Sequence, residues 1–254
     1  LGSAQLAKYS NLLLYFIYPM IMIFFLRKRE LKRNLLDIIL IFLISVLIIN
    51  IGYFFQETMR PLGSYTFSSN LMKSTQKYLP GSIPVPLPSP YIDGFDLTQY
   101  EVEIGHLFYL NGQLSLKSKW YYFIEAFALK TPIPFLLLIL FRAVFKSSTK
   151  NNQGRLAEGI FLFVSILYVA NFSFLTSLDI GVRYLLPIIP LLSLWLSPLI
   201  QRTTTFWKNM LLGIFLVWYA ASSLGIHPHY LSYFNEFAGG PEGGRRYLGD
   251  SNID

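Results

Sequence analysis

The sequence predicts an all-α polytopic membrane protein, a bundle of about six spanning helices with one long loop on the extracytoplasmic side. Three observations lead there. Only 14% of the 254 residues are charged, where a soluble domain carries roughly 25%. The deficit is gathered into long uncharged runs, which is a membrane pattern rather than that of a large soluble core. Basic residues cluster in the short loops that follow every second run, and that alternation sets a sidedness. The net charge of +7 is therefore read as membrane orientation and not as nucleic-acid binding. The absence of cysteine excludes a disulfide framework and a thiolate metal site.

The runs, in order, cover about 2–26, 35–55, 131–145, 156–178, 183–200 and 206–226. A span needs about 20 residues, so the third is short; it can extend backwards through 120–128, with a break near Lys130–Pro134. Thr131-Pro132 is a helix-start signal. Pro187 and Pro190 are expected to bend the fifth helix. The loop "RKRELKR" (27–33) holds five Lys/Arg, "RAVFKSSTKNNQGR" (142–155) four and "QRTTTFWK" (201–208) two. All three follow odd-numbered runs, so one face takes them all, and by the positive-inside rule that face is cytoplasmic. The expected localisation is the cell (inner) membrane, multi-pass.

The opposite face owns the loop 56–130, the turn around Asp179 and the segment 227–254. Within the loop, "LPGSIPVPLPSP" reads as an extended proline-rich stretch. "HLFYLNGQLSLK" alternates around Asn111-Gly112, a hairpin signal. "KWYYFIEAFALK" is aromatic with lysines at its ends, the composition of a helix lying among headgroups. The opening "LGSAQLAKYS" and the ending "GDSNID" read as the middle of a longer protein.

Several residues carry candidate chemistry, each with two readings. Arg183 beside Asp179 is either a planar clamp for a phosphate or a snorkelling anchor that pairs at a helix end. Lys8 lies inside the hydrocarbon if the first helix begins upstream of it, where a charge is functional by default, and at the interface if the span starts near Tyr9. Lys130 precedes a helix N-terminus that attracts anions, or else anchors at the interface. Trp120, Tyr121, Tyr122 and Phe123 suit an aromatic belt, with lipid or sugar contact as the second reading. Asp93, Asp96, Glu101, Glu103 and Glu125 are read first as solvated loop charges, any of them able to act as a base. His227 and His229 lack a third metal ligand by spacing. Asp37 and Glu158 stand at cytoplasmic helix starts, where the dipole favours them. Asn171-Phe172-Ser173 fits a glycosylation sequon but falls within a span, so it is set aside.

Four stretches, "LAKYSNLLL" (6–14), "KWYYFIEAFALKTPIPFLLL" (119–138), "GVRYLLPIIPLL" (181–192) and "HPHYLSYFNEFAGGPEGGRRYLGDSNID" (227–254), together resemble the family 39 glycosyltransferases. These are bacterial relatives of the dolichyl-phosphate-mannose protein mannosyltransferases and have the GT-C membrane fold. The resemblance implies a transferase that takes a sugar from a polyprenyl-phosphate carrier and works at the extracytoplasmic face. It places the catalytic carboxylate on a first outer loop upstream of this chain, so no catalytic residue is assigned here. The chain would supply the carrier's surroundings: Arg183, Lys130 and Lys8 for its phosphate, and Trp120, Tyr121, Tyr122 and Tyr184 for lipid or sugar contact. One displacement would invert the anomeric centre. A divalent metal is left open as cofactor, no metal ligand is assigned, and protein, lipid and glycan acceptors all remain open. The rival class is a transporter or lipid flippase, which favours repeats and midplane charges; no repeat is visible in the sequence. A purely structural membrane subunit would have little use for so long an outer loop.

Overall fold

A computed structural model describes residues 1–24, 31–144, 152–174, 176, 181–201 and 206–249. The chain is mostly helical and divides after Ile104 into two compact units.

The first unit opens with α1 (Gly2–Ala7), a 3-10 turn (Tyr9–Leu12) and α2 (Leu13–Phe24). The single helix expected over 2–26 is thus interrupted. Lys8 is extended (φ −165°) between α1 and the turn; its N–H donates to Ala4 O at 3.1 Å, and Asn11 Nδ2 donates to the same carbonyl at 2.6 Å. α3 (Leu31–Gly52) follows. α1 lies against it at Gly2, where a Cβ would come within 2.8 Å of Ile48 Cβ and 2.9 Å of Ser45 O; only glycine allows the two backbones so close. The proline-rich stretch 79–90 is only partly the extended segment expected: it turns at Gly81-Ser82, makes an isolated antiparallel bridge between Pro61 and Pro84, and its last two residues begin a helix. Around it the loop forms two helices that its sequence did not announce, α4 (Asn70–Tyr78) and α5 (Ser89–Ile104). Ile49, Leu62, Tyr65, Phe67, Tyr91 and Ile92 make this unit's core.

The second unit starts with the expected hairpin, β1 (Phe108–Leu110) paired antiparallel with β2 (Gln113–Ser115). Asn111 and Gly112 both have positive φ, 51° and 82°, which is the two-residue turn that this pair of residues favours. α6 (Tyr122–Lys130) and α7 (Ile133–Val144) come next, with a 114° bend at Thr131-Pro132. Proline removes a donor and disfavours helical backbone in the residue before it, and Thr131 is accordingly extended. α8 (Asn152–Phe174) is long and unbroken. A 3-10 turn (Val182–Leu185) leads to α9 (Ile188–Leu196) and the short α10 (Pro198–Gln201). Of the two prolines in the fifth run, Pro187 stands at the N-cap of α9 and Pro190 in its first turn, where a missing N–H costs little. α11 (Phe206–Gly225), 3-10 turns and α12 (Gly240–Gly244) complete the unit.

Two helices among the described residues are long and apolar enough to cross a membrane, Leu35–Gly52 within α3 and Asn152–Phe174. A third crossing is available if the bent pair α6 and α7 counts as one. Leu13–Met22 and Asn209–Gly225 are shorter apolar helices. Of the basic loops, most of 27–33, 146–150 and Arg202 lies outside the described residues.

Candidate lipid-phosphate site

The second unit is built around α6. Its Tyr122 and Phe123 are wholly enclosed, with Phe108 edge-on to Tyr122 at 5.6 Å between centroids. Tyr122 is therefore a core residue and not the belt or ligand residue expected from its neighbours. Burying two such side chains contributes roughly 1.5–3 kcal/mol each. Trp120 stays exposed and stacks on Phe174 at 6.1 Å, with Tyr121 edge-on to Trp120 at 5.7 Å; these two keep an outer face.

Arg183 sits on the 3-10 turn that packs against α6 and α8. Its neighbours fix that turn: Leu185 is fully buried, and the Tyr184 ring lies 6.5 Å from Phe123 and 5.3 Å from Phe172. The Arg183 side chain itself is exposed, its guanidinium 5.5 Å over the Tyr184 ring. Asp179, the expected partner of Arg183, lies outside the described residues.

Leu185, on the same turn, lines an apolar groove of about 380 Å³ together with Phe123, Ile139, Leu162, Ile188 and Leu192. Ser173 also lines it, and its buried hydroxyl has no hydrogen-bond partner among the described residues. The arrangement is a charged fork on a rigid turn, next to a wall of aliphatic and aromatic carbon.

Lys130 ends α6, roughly 10 Å along the helix from Phe123 by helical rise. Its Nζ donates to Leu231 O, 3.0 Å, and stands 4.7 Å over the Phe234 ring. The ammonium holds the tail. The sharp turn beside it is clamped by Asn235, a buried residue that sequence reasoning passed over. Asn235 Nδ2 donates to Ala128 O (2.6 Å) and Thr131 O (2.8 Å), and its backbone N–H donates to Leu129 O (2.9 Å). Three carbonyls exposed by the end of α6 are thereby satisfied. The tail continues past Gly244, where a Cβ would lie 2.1 Å from the Phe234 ring, to Leu248, which bridges Leu110 of the hairpin. Arg183 and Lys130 thus serve opposite ends of α6.

In the first unit Lys8 is exposed at the helix break. A second apolar groove, about 550 Å³, runs along α2 and α3 with Tyr91 and Phe95 of α5 in its wall. The carboxylates of the 56–130 loop divide. Asp96, expected to be solvated, is buried and accepts from Ser68 N (2.7 Å), Ser69 N (3.0 Å) and Ser69 Oγ (2.6 Å). Glu103 accepts from Asn70 N (2.7 Å) and Leu71 N (3.0 Å). Two carboxylates seven residues apart on α5 therefore cap the N-terminus of α4. Burial raises the Asp96 pKa, but the hydrogen bonds from Ser68 and Ser69 outweigh it and hold the carboxyl below the usual range. Asp93 and Glu101 remain exposed and Glu125 half-buried. His227 Nδ1 lies 3.0 Å from Tyr230 Oη. Among the described residues no three of His, Cys, Asp and Glu come together.

Glu158, expected at a helix start, lies in the second turn of α8. It is buried against Arg142, which also donates from Nε to Trp195 O (3.3 Å) and faces the Trp195 ring at 5.3 Å. One of the four cations counted for the 142–155 loop is thus part of the interior.

Comparison with family models, curated proteins and solved structures returns no match for this chain.

Proposed function

We propose that the chain is the carrier-binding part of a multi-pass membrane glycosyltransferase of GT-C type, with six spans. It would move a sugar from a polyprenyl phosphate to an acceptor at the extracytoplasmic face, with inversion. The observation that carries this reading is Arg183: an exposed guanidinium on a turn fixed by core residues, two positions from Leu185 in the wall of an apolar groove. A polyprenyl phosphate has that same polarity, a long hydrocarbon ending in an anion.

In the chemistry proposed, an acceptor oxygen or nitrogen attacks the anomeric carbon and the glycosidic bond to the lipid phosphate breaks. Negative charge grows on the departing phosphate. A fixed guanidinium stabilises that charge through two parallel hydrogen bonds, and more strongly than in water where the site is dry. The groove takes the chain so that the phosphate stays at the membrane surface. The reading assigns the donor half of the site alone.

The test is donor titration of the full-length protein with membrane levels matched. Charged hydrogen bonds are worth about 1.5–3 kcal/mol, so Arg183→Ala should lower donor use roughly tenfold to a hundredfold. Arg183→Lys should fall between, because a point charge does not replace a planar fork. Near-native donor use by Arg183→Ala sinks the clamp and leaves a snorkelling anchor.

A further inference from the structure

The turn after α3 is built from residues that resist its backbone. Phe54, Phe55, Glu57 and Met59 have φ of 52°, 55°, 48° and 67°, a region bulky L residues avoid. A dense set of bonds holds them there. Thr58 Oγ1 donates to Asn50 Oδ1 (2.5 Å), and Asn50 Nδ2 donates to Pro86 O (3.0 Å). Met59 N donates to Val85 O (2.9 Å) and Ser89 N to Gln56 O (3.1 Å). The proline-rich arm keeps the turn in shape, and the shape puts its large apolar side chains outside. Phe54 is 91% exposed, Met59 58% and Phe55 54%.

These side chains continue an apolar surface. Leu43, Leu47 and Ile51 are exposed along α3 immediately before them. The apolar window Leu35–Gly52 has 18 residues, a rise of about 27 Å, a few ångströms short of a hydrocarbon core of about 30 Å. Lys32 and Arg33 mark the cytoplasmic end of α3 by the positive-inside rule, so the turn lies at the outer boundary. Polar residues stand within and just beyond the turn, with Glu57 paired to Arg60 at 3.0 Å, and this mixture suits the headgroup layer.

We propose that the 53–59 turn is a lipid-inserted anchor. Phe54, Phe55 and Met59 enter the acyl region of the outer leaflet and complete the depth that α3 leaves uncovered. The folded segment that follows is held at a set height above the membrane. The partner is the hydrocarbon of the bilayer itself, and the anchor is independent of the glycosyltransferase reading.

The chain has no cysteine, so single cysteines can be placed separately at 54, 55 and 59 and spin-labelled in vesicles of phosphatidylethanolamine and phosphatidylglycerol. Leu43→Cys, on the exposed middle of α3, is the hydrocarbon reference, and Lys77→Cys, on α4, the aqueous one. Labels at the three turn positions should collide with dissolved oxygen in preference to a water-soluble nickel chelate, as at 43. A preference for the chelate, as at 77, overturns the proposal. Shielding from both reagents overturns it too, because a protein surface then covers the turn. Three independent positions keep the result decisive if one variant fails to insert.

Discussion

Arg142 and Glu158 form an ion pair sealed inside the second unit, joining the last turn of α7 to α8, with Trp195 of α9 closing it from the side. The attraction between two unlike charges offsets the desolvation of both, so removing either takes that compensation from the other. Arg142→Ala or Glu158→Gln alone should destabilise the protein by about 3–5 kcal/mol. The double change Arg142→Met with Glu158→Leu should restore most of it. Denaturation in mixed detergent micelles measures this; single variants that behave like the exposed Arg155→Ala would remove the pair from any role in the fold.

Asp96 makes the segment around α4 and α5 sensitive to acid. Its folded pKa lies below the ordinary value, so its contribution is complete above about pH 4 and is lost as pH falls through the folded value. The protection factors of the α4 amides, with the intrinsic pH dependence of exchange divided out, should therefore fall on acidification in the native protein. Asp96→Asn should exchange faster at neutral pH, by an equivalent of about 1–3 kcal/mol, because its amide N–H₂ meets the Ser68 or Ser69 N–H groups. Its protection factors should change less on acidification. Identical pH profiles for the two proteins would contradict the capping role.

Asn235→Ala should loosen the α6–α7 elbow by about 1–3 kcal/mol per unsatisfied carbonyl. Asn235→Asp should be worse, since a carboxylate donates nothing and repels the same oxygens. Trypsin cleavage after Lys130 in detergent reports the elbow directly. Gly244→Ala, which drives a methyl into the Phe234 ring, should speed the same cut if the tail is the clamp. An unchanged rate in all three variants would show that the elbow holds itself.

The sidedness is tested with Lys77→Cys and Gln153→Cys. An impermeant maleimide should label the first on intact cells and the second only after permeabilisation. Labelling of both from outside would reverse or break the topology.

The hairpin, the break near Thr131-Pro132 and the long helices were readable because each rests on a local signal: Asn111-Gly112, a proline, an uninterrupted apolar run. Lys8 shows the limit. A continuous hydrophobic stretch says nothing of an interruption capped by Asn11 from a turn below. α5 was hidden because its buried residues Tyr91, Ile92 and Asp96 mix aromatic, aliphatic and acidic types, so no apolar stripe marks it. Tyr122 and Trp120 are two residues apart in one aromatic cluster, yet only the helix start at Tyr122 sends one inward and leaves the other out. For the candidate site, Arg183 could be singled out from its place beside an apolar helix. The clamp by Asn235 could not, because its partners lie 104 and 107 residues away and nothing in the intervening sequence registers them.

That separation has a consequence for how the second unit assembles. The carbonyls of Ala128 and Thr131 are synthesised more than a hundred residues before the amide that satisfies them, and Leu110 waits still longer for Leu248. Loops of this length close slowly, and closure is rewarded only at the end. While α7 to α11 are being made, the elbow must keep its open carbonyls on water or on passing donors. The elbow therefore closes only when the last residues arrive. A ribosome stalled after Gly225 should leave a nascent chain with its helices formed and its elbow still soft.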